Sequence, residues 1–190
     1  MGAVALAGIV AAVAYLLLSG SSGIAQKQRD FASMVATLRS DLSRCNSLAA
    51  AAVSDSLKME DGSSSTEHAE VAAHAAARAC VPASSTAVWN LTVYLLPSSL
   101  QGHHLNYAVS ALGVWAQEDV APAMRAERHW LANRSDRKAT TTYDQDAAWA
   151  TADLASANLT LRRAAKTLGS NFRPLRLISL ARAGPPAESS

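Results

Sequence analysis

Two cysteines carry the clearest chemical signal in this 190-residue sequence. Cys45 lies in the carboxyl half of the first predicted helix, and Cys80 lies near the end of the second. If these helices form an antiparallel hairpin, both thiols lie roughly 20–24 Å from the turn, within one helical turn of each other. The sequence therefore predicts a Cys45–Cys80 disulfide in an oxidising compartment, and two buried free thiols are the alternative.

The other residues that could bind a metal or act in catalysis lack the spacing that a metal site or an active site needs. The five histidines form neither an HExxH nor an ExxH pattern, and two cysteines are too few for a four-thiolate zinc site. The sequence contains no GxSxG elbow, P-loop or GxGxxG motif. We therefore expect a non-enzymatic protein without a metal or a cofactor. A net charge of +2 is too small to hold a nucleic-acid backbone, so we expect no nucleic-acid partner.

Three sequons match the acceptor motif for N-glycosylation, and they begin at Asn90, Asn133 and Asn158. The motif has meaning only if the chain enters a glycosylating secretory route. Asn133 falls in a predicted loop and is the best candidate acceptor there, with Asn90 as the second candidate. Asn158 flanks an apolar helix seam, so we expect it to be a poor acceptor.

The amino-terminal segment, residues 1–25, carries no charged side chain, and residues 3–18 are almost wholly apolar. This length is near the lower limit for a helix that crosses a bilayer. We favour an uncleaved signal anchor in which residues 3–25 cross the membrane once. The basic residues that follow, from Lys27 and Arg29 onward, would then place the body of the protein on the cytoplasmic side.

A cleaved signal peptide is the second interpretation of the same segment. Its apolar run would be the hydrophobic region, and the small residues around Gly23 and Ala25 would supply the cleavage site. The protein would then be secreted.

Residues 26–171 show the pattern of an antiparallel helical bundle. Helices are predicted at 24–57 and from Ser64 to Cys80, where Pro82 ends the second helix. Apolar residues in the first and last helices recur in steps of three and four, which is typical of a coiled-coil or bundle seam. The seam residues are Phe31, Val35, Leu38 and Leu42 in the first helix, and Ala150, Leu154, Ala157, Leu161 and Leu168 in the last.

The remaining helices are predicted from local signals. From 79 to 117 no side chain carries a formal charge, histidine aside, so the runs 86–96 and 105–116 predict a buried hairpin. Asp119 and Pro122 indicate a kink or a new helix, with the aspartate as its cap. The last helix is predicted to begin at the Thr142–Gln145 capping box and to end at Gly169.

The carboxyl-terminal tail, residues 172–190, is basic and apolar at first and is expected to end in a disordered segment. Its arginines, Arg173, Arg176 and Arg182, are candidates for binding an anionic membrane surface. We favour a plainer interpretation, in which the tail forms a short helix that folds back on the bundle.

The sequence thus predicts an all-α protein, with an N-terminal transmembrane helix followed by an antiparallel bundle of about four to five helices. The leading hypothesis is a scaffold or accessory subunit of a membrane complex. It would bind the bilayer through residues 3–25 and would bind a helical partner or a second copy of itself. The alternatives are a secreted, cytokine-like ligand and an extracytoplasmic bundle that holds a small apolar ligand.

Overall fold

The computed structural model describes residues 3–83, 97–178 and 180, with side chains from Gly23 onward except those of residues 82 and 83. Within these ranges the chain is all-helical and contains no strand. A six-residue π-helical segment at Trp115–Val120 joins two of the helices, and a 3-10 turn at Ser98–Leu100 precedes them. The α-helices are α1 (Ala3–Glu60), α2 (Thr66–Ala83), α3 (Leu105–Val114), α4 (Ala121–Ala132) and α5 (Arg137–Leu168).

The first two helices form the predicted hairpin. α1 ends at Glu60, and Gly62 in the turn adopts a φ of 80°, a conformation that favours glycine. The cap of α2 is one residue later than predicted, since Ser65 Oγ accepts a hydrogen bond from the His68 N–H at 3.2 Å. The predicted stop before Pro82 is wrong, because α2 continues to Ala83. A proline in the last turn removes only one helical hydrogen bond, which packing can offset.

The α3–α4 region is one continuous rod, so the predicted restart with Asp119 as a cap is wrong. Pro122 has no N–H and its ring crowds the preceding turn. The chain accommodates this proline by widening into the π segment instead of breaking. As a result, Asp119 is buried in the middle of the rod. The predicted partner run, 86–96, lies outside the described residues.

α5 begins at Arg137 rather than at Thr142, so the predicted capping box lies inside the helix. Asp136 is the actual cap, and its side chain accepts a hydrogen bond from the Ala139 N–H at 3.1 Å. The helix ends as predicted at Gly169, which adopts a φ of 63°.

The helices pack in the order α1, α2, α4 and α5, with α3 also against α5. α1 and α5 touch each other much less, and an extended segment lies across both of them. We call this segment, residues 170–178 and 180, the strap. Its core contacts are Leu175 and Leu180, which are both buried. The short helix predicted here is therefore wrong, although the tail does fold back on the bundle.

Side chains of the bundle hold the backbone of the strap. Asn46 Oδ1 on α1 accepts a hydrogen bond from the Ile178 N–H at 2.6 Å. On α5, the hydroxyl of Tyr143 donates to the carbonyl oxygen of Leu180 at 2.8 Å. These contacts supply the hydrogen bonds that a helix would form within itself, so the segment can stay extended.

In the part of the chain that the structure describes, no helix is both long enough and apolar enough to cross a membrane. The anchor predicted at 3–25 falls mainly on residues 1–22, whose side chains lie outside that part.

Candidate functional site

The predicted disulfide is present between Cys45 on α1 and Cys80 on α2. Their Cα atoms are 4.6 Å apart, and both residues are fully buried. The bond joins the two helices of the hairpin across 35 positions of sequence. It therefore fixes the register of α1 against α2.

The predicted seam residues face the interior of the bundle. Phe31, Val35, Leu38 and Leu42 are buried in α1, as are Ala150, Ala157, Leu161 and Leu168 in α5. Leu154 is partly buried and packs against the same core. These residues hold the helices together and leave no exposed apolar stripe of their own.

The sequons fall in different environments. Asn133 is exposed in the turn between α4 and α5, where its Oδ1 accepts hydrogen bonds from the N–H and the hydroxyl of Ser135. Asn158 is partly buried, and its side chain bonds the backbone of the strap. Asn90 lies outside the described residues.

The tail arginines are exposed where the structure describes them. Arg173 and Arg176 both lie in the strap, and the carbonyl oxygen of Arg173 accepts a hydrogen bond from Arg39 on α1 at 2.5 Å. Arg182 lies outside the described residues. Nothing in the described structure tests the prediction that these arginines bind a membrane surface.

The sequence did not predict a cleft of about 350 Å³ that lies between the π segment and α5. We call it the acidic cleft, because three of its lining residues carry carboxyl groups. It is lined by Val114, Glu118, Asp119, Trp149, Ala152 and Asp153.

Asp119 is the central group of the acidic cleft. Its side chain is only 2% exposed, and its Oδ2 atom is buried without a hydrogen-bond partner. Burial, followed by the neighbouring carboxylates of Asp153, Asp146 and Glu118, together raise the pKa of Asp119 to about 7. Asp153 is within hydrogen-bonding reach of Asp119, so a protonated Asp119 carboxyl can donate a hydrogen bond to it.

A second buried carboxyl, Asp146, lies behind the cleft on α5. One of its oxygens is also buried without a hydrogen-bond partner, and burial raises its pKa, while the charge of Arg125 on α4 acts in the opposite direction. In the part of the chain with described side chains, no three histidine, cysteine or carboxylate groups converge as a metal site. The arrangement is therefore a row of carboxyl groups rather than a chelating cluster.

A signal for this cleft exists in the sequence. Asp146, Trp149 and Asp153 follow each other at spacings of three and four, which places them on one face of a helix. This polar stripe is interleaved with the apolar seam of α5. Its partner, Asp119, could not be found in the same way, because a helix cap is the ordinary interpretation of an aspartate shortly before a proline.

Comparisons with protein-family models, with curated proteins and with solved structures find no match for this chain.

Proposed function

We propose that this chain is a non-enzymatic, single-pass membrane protein whose helical bundle serves as a scaffold or accessory subunit of a membrane complex. The observation that carries the proposal is the continuity of α1, a single helix of 58 residues. Its apolar sequence lies at the start, and Phe31 is the first buried core residue among the side chains that the structure describes, from Gly23 onward. The part of α1 before this residue is about 40 Å long, against a hydrocarbon core of about 30 Å.

The disulfide supports a bundle on the oxidising side of the membrane. Disulfides persist in extracytoplasmic compartments and are rare where thiols are kept reduced. The basic residues Lys27 and Arg29 favour the opposite orientation, but this rule describes a bias in membrane insertion. We give the covalent bond more weight, because Cys45 and Cys80 are buried together in the core.

The lining of the acidic cleft supports binding rather than catalysis. It contains carboxyl groups and a tryptophan but neither a histidine nor a hydroxyl or thiol nucleophile. A hydrolase or transferase site of the common kinds would need such a group next to a base. A scaffold needs only a rigid surface, which the four packed helical rods and their disulfide provide.

Alkaline extraction of membranes from the native host tests the proposal. We expect the wild-type chain to stay in the membrane pellet after extraction. Ala7→Arg with Ala11→Arg puts two charges into the apolar part of α1, at about 2.5–3.5 kcal/mol each, and should release the protein from the pellet. The matched control, Ala32→Arg with Ala36→Arg, changes two exposed positions of the same helix at the same spacing and should stay in the pellet.

Recovery of wild-type protein in the alkaline supernatant would contradict the proposal. A shortened chain in the medium would favour the secreted ligand instead.

A further inference from the structure

The acidic cleft concentrates negative charge that the protein does not neutralise at its lining. Its three carboxyl groups come from two elements, Glu118 and Asp119 from the π segment and Asp153 from α5. No basic side chain is part of the described lining. Arg125 on α4 acts on Asp146 behind the cleft. The lining therefore favours a positively charged group in the cleft.

The buried carboxyl of Asp119 indicates where a cation would bind in the cleft. Buried polar atoms in folded proteins almost always have a hydrogen-bond partner, and the Oδ2 atom of Asp119 has none among the described residues. The residue lines the cleft although its side chain is almost completely buried. A donor group seated in the cleft would therefore lie against this carboxyl.

The other lining residues select the kind of cation. Trp149 is 54% exposed and lines the cleft, so its ring is available for a cation–π contact. Val114 and Ala152 supply apolar surface for an aliphatic stem. The volume, about 350 Å³, is at the lower end of the range for small-ligand sites. Carboxylates, an aromatic ring and short apolar walls together suit an organic cation better than a bare metal ion.

We propose that the acidic cleft binds an organic cation, an ammonium or guanidinium group on a short aliphatic stem. Asp119 and Asp153 are its ion-pair partners, and Trp149 forms one wall. Near neutral pH the cation replaces the proton on the Asp119 carboxyl. The O–H bond of the acid breaks, the proton goes to the buffer, and the carboxylate pair accepts hydrogen bonds from the cation. This inference goes beyond the scaffold function and does not depend on where residues 3–25 lie.

Isothermal titration of the full chain in detergent, with its disulfide intact, tests the inference. The probes are agmatine, a free guanidinium compound, and the peptide acetyl-Gly-Arg-Gly-amide. Titrations at pH 6 in two buffers of different ionisation enthalpy report the protons released. We expect saturable binding with up to one proton released per cation at pH 6, and a release that approaches zero at pH 8.5. Such a release would come from Asp119, with Asp153, Glu118 and Asp146 as neighbouring carboxylates and Arg125 as the nearby cation.

Two isosteric variants show whether binding occurs at this cleft. Asp119→Asn and Asp153→Asn should each weaken binding about tenfold or more. Asp119→Asn should also abolish the proton release, because it removes the carboxyl that carries the proton. Asp144→Asn removes an equivalent charge at an exposed position of α5 and should bind like wild type. The probes distinguish the source of the cation. Equal affinities for agmatine and the peptide indicate that the natural ligand is a free small cation. An affinity for the peptide at least tenfold higher than that for agmatine indicates a side chain of a protein partner.

Two results would overturn the inference. One is no saturable binding of either probe at concentrations up to tens of millimolar. The other is binding that both cleft variants leave unchanged. Because neither result involves α1, failure here is distinguishable from failure of the membrane extraction test.

Discussion

The side chain of Asn158 on α5 bonds both backbone polar groups of Leu175 in the strap. Its Nδ2 donates to the Leu175 carbonyl oxygen at 3.1 Å, and its Oδ1 accepts from the Leu175 N–H at 2.8 Å. The amide side chain of Asn158 thus forms the pair of hydrogen bonds that a neighbouring strand would form with Leu175. The buried side chain of Leu175 is held in the core between α1 and α5 by this pair of bonds.

Replacing this amide tests whether the strap is part of the folded unit. Asn158→Ala removes both hydrogen bonds and leaves two backbone groups of Leu175 unpaired, so we expect a loss of about 1–3 kcal/mol in the free energy of unfolding. Urea denaturation measures this loss. Asn171→Ala, at an exposed position of the strap, is the control and should unfold like wild type. Equal midpoints for the two variants would mean that the amide does not hold the strap.

Three leucines of α5 differ in how deeply their side chains are buried, so substitutions at these positions test whether the apolar seam of α5 faces the core. Leu161 is completely buried, Leu154 is partly buried and Leu159 is 46% exposed. Replacement of Leu161 by Asp puts an unpaired charge in the core and should unfold the domain. Leu154→Asp should destabilise it less, and Leu159→Asp should change the midpoint of thermal unfolding by little. Thermal unfolding followed by circular dichroism ranks the three variants, and a different order would contradict the packing of α5.

The disulfide should contribute a large share of the stability. The bond between Cys45 and Cys80 closes a loop of sequence separation 35. Chain entropy alone then predicts a contribution of about 4 kcal/mol. Cys45→Ala with Cys80→Ala should therefore lower the melting temperature strongly. A reductant should lower the melting temperature of the wild type to a similar level. It should leave the melting temperature of the double variant unchanged. Insensitivity of the wild type to a reductant under denaturing conditions would contradict the bond.

The acidic cleft should make stability fall as the pH rises from about 4 to about 7. Burial and the neighbouring carboxylates together raise the pKa of Asp119 to about 7, so the folded protein binds this proton more tightly than the unfolded chain. The stability that the proton provides is complete below the unfolded pKa and is lost as the pH rises through the folded pKa.

Asp119→Asn checks this dependence, since asparagine is neutral at every pH. We expect the variant to be more stable than wild type by about 1–2 kcal/mol above pH 7, and this difference should disappear near pH 4. Asp144→Asn should keep the wild-type pH dependence. Parallel curves for Asp119→Asn and wild type would contradict the raised pKa.

Local sequence signals were sufficient for much of the bundle. The three- and four-residue spacing of Phe31, Val35, Leu38 and Leu42 identified the buried face of α1, because helix geometry alone determines it. Gly169 ended α5 as predicted, since its left-handed conformation suits a glycine. The Cys45–Cys80 pairing followed from the hairpin alone.

The errors arose where tertiary contacts override local signals. Asp119 and Pro122 indicated a kink or a new helix, but the residues on both sides of Pro122 are buried and the helix continues through a π segment without a restart. The strap was predicted as a helix, but side chains distant in sequence bond its backbone. Asp119 lies in the π segment and lines the cleft beside α5. Neither a spacing rule nor a capping rule contains this information.

We propose that the protein is a disulfide-linked bundle that keeps its apolar amino-terminal helix and lies on the oxidising side of a membrane. The most direct test is the intact mass of the protein recovered from alkaline-washed membranes of its native host, measured without reduction. The account predicts the mass of the 190-residue chain less two hydrogens, with the addition of any glycan at Asn133. Two results would contradict this proposal. One is the mass of a shortened chain that begins between Ser21 and Gln26, and the other is a mass that includes both thiol hydrogens.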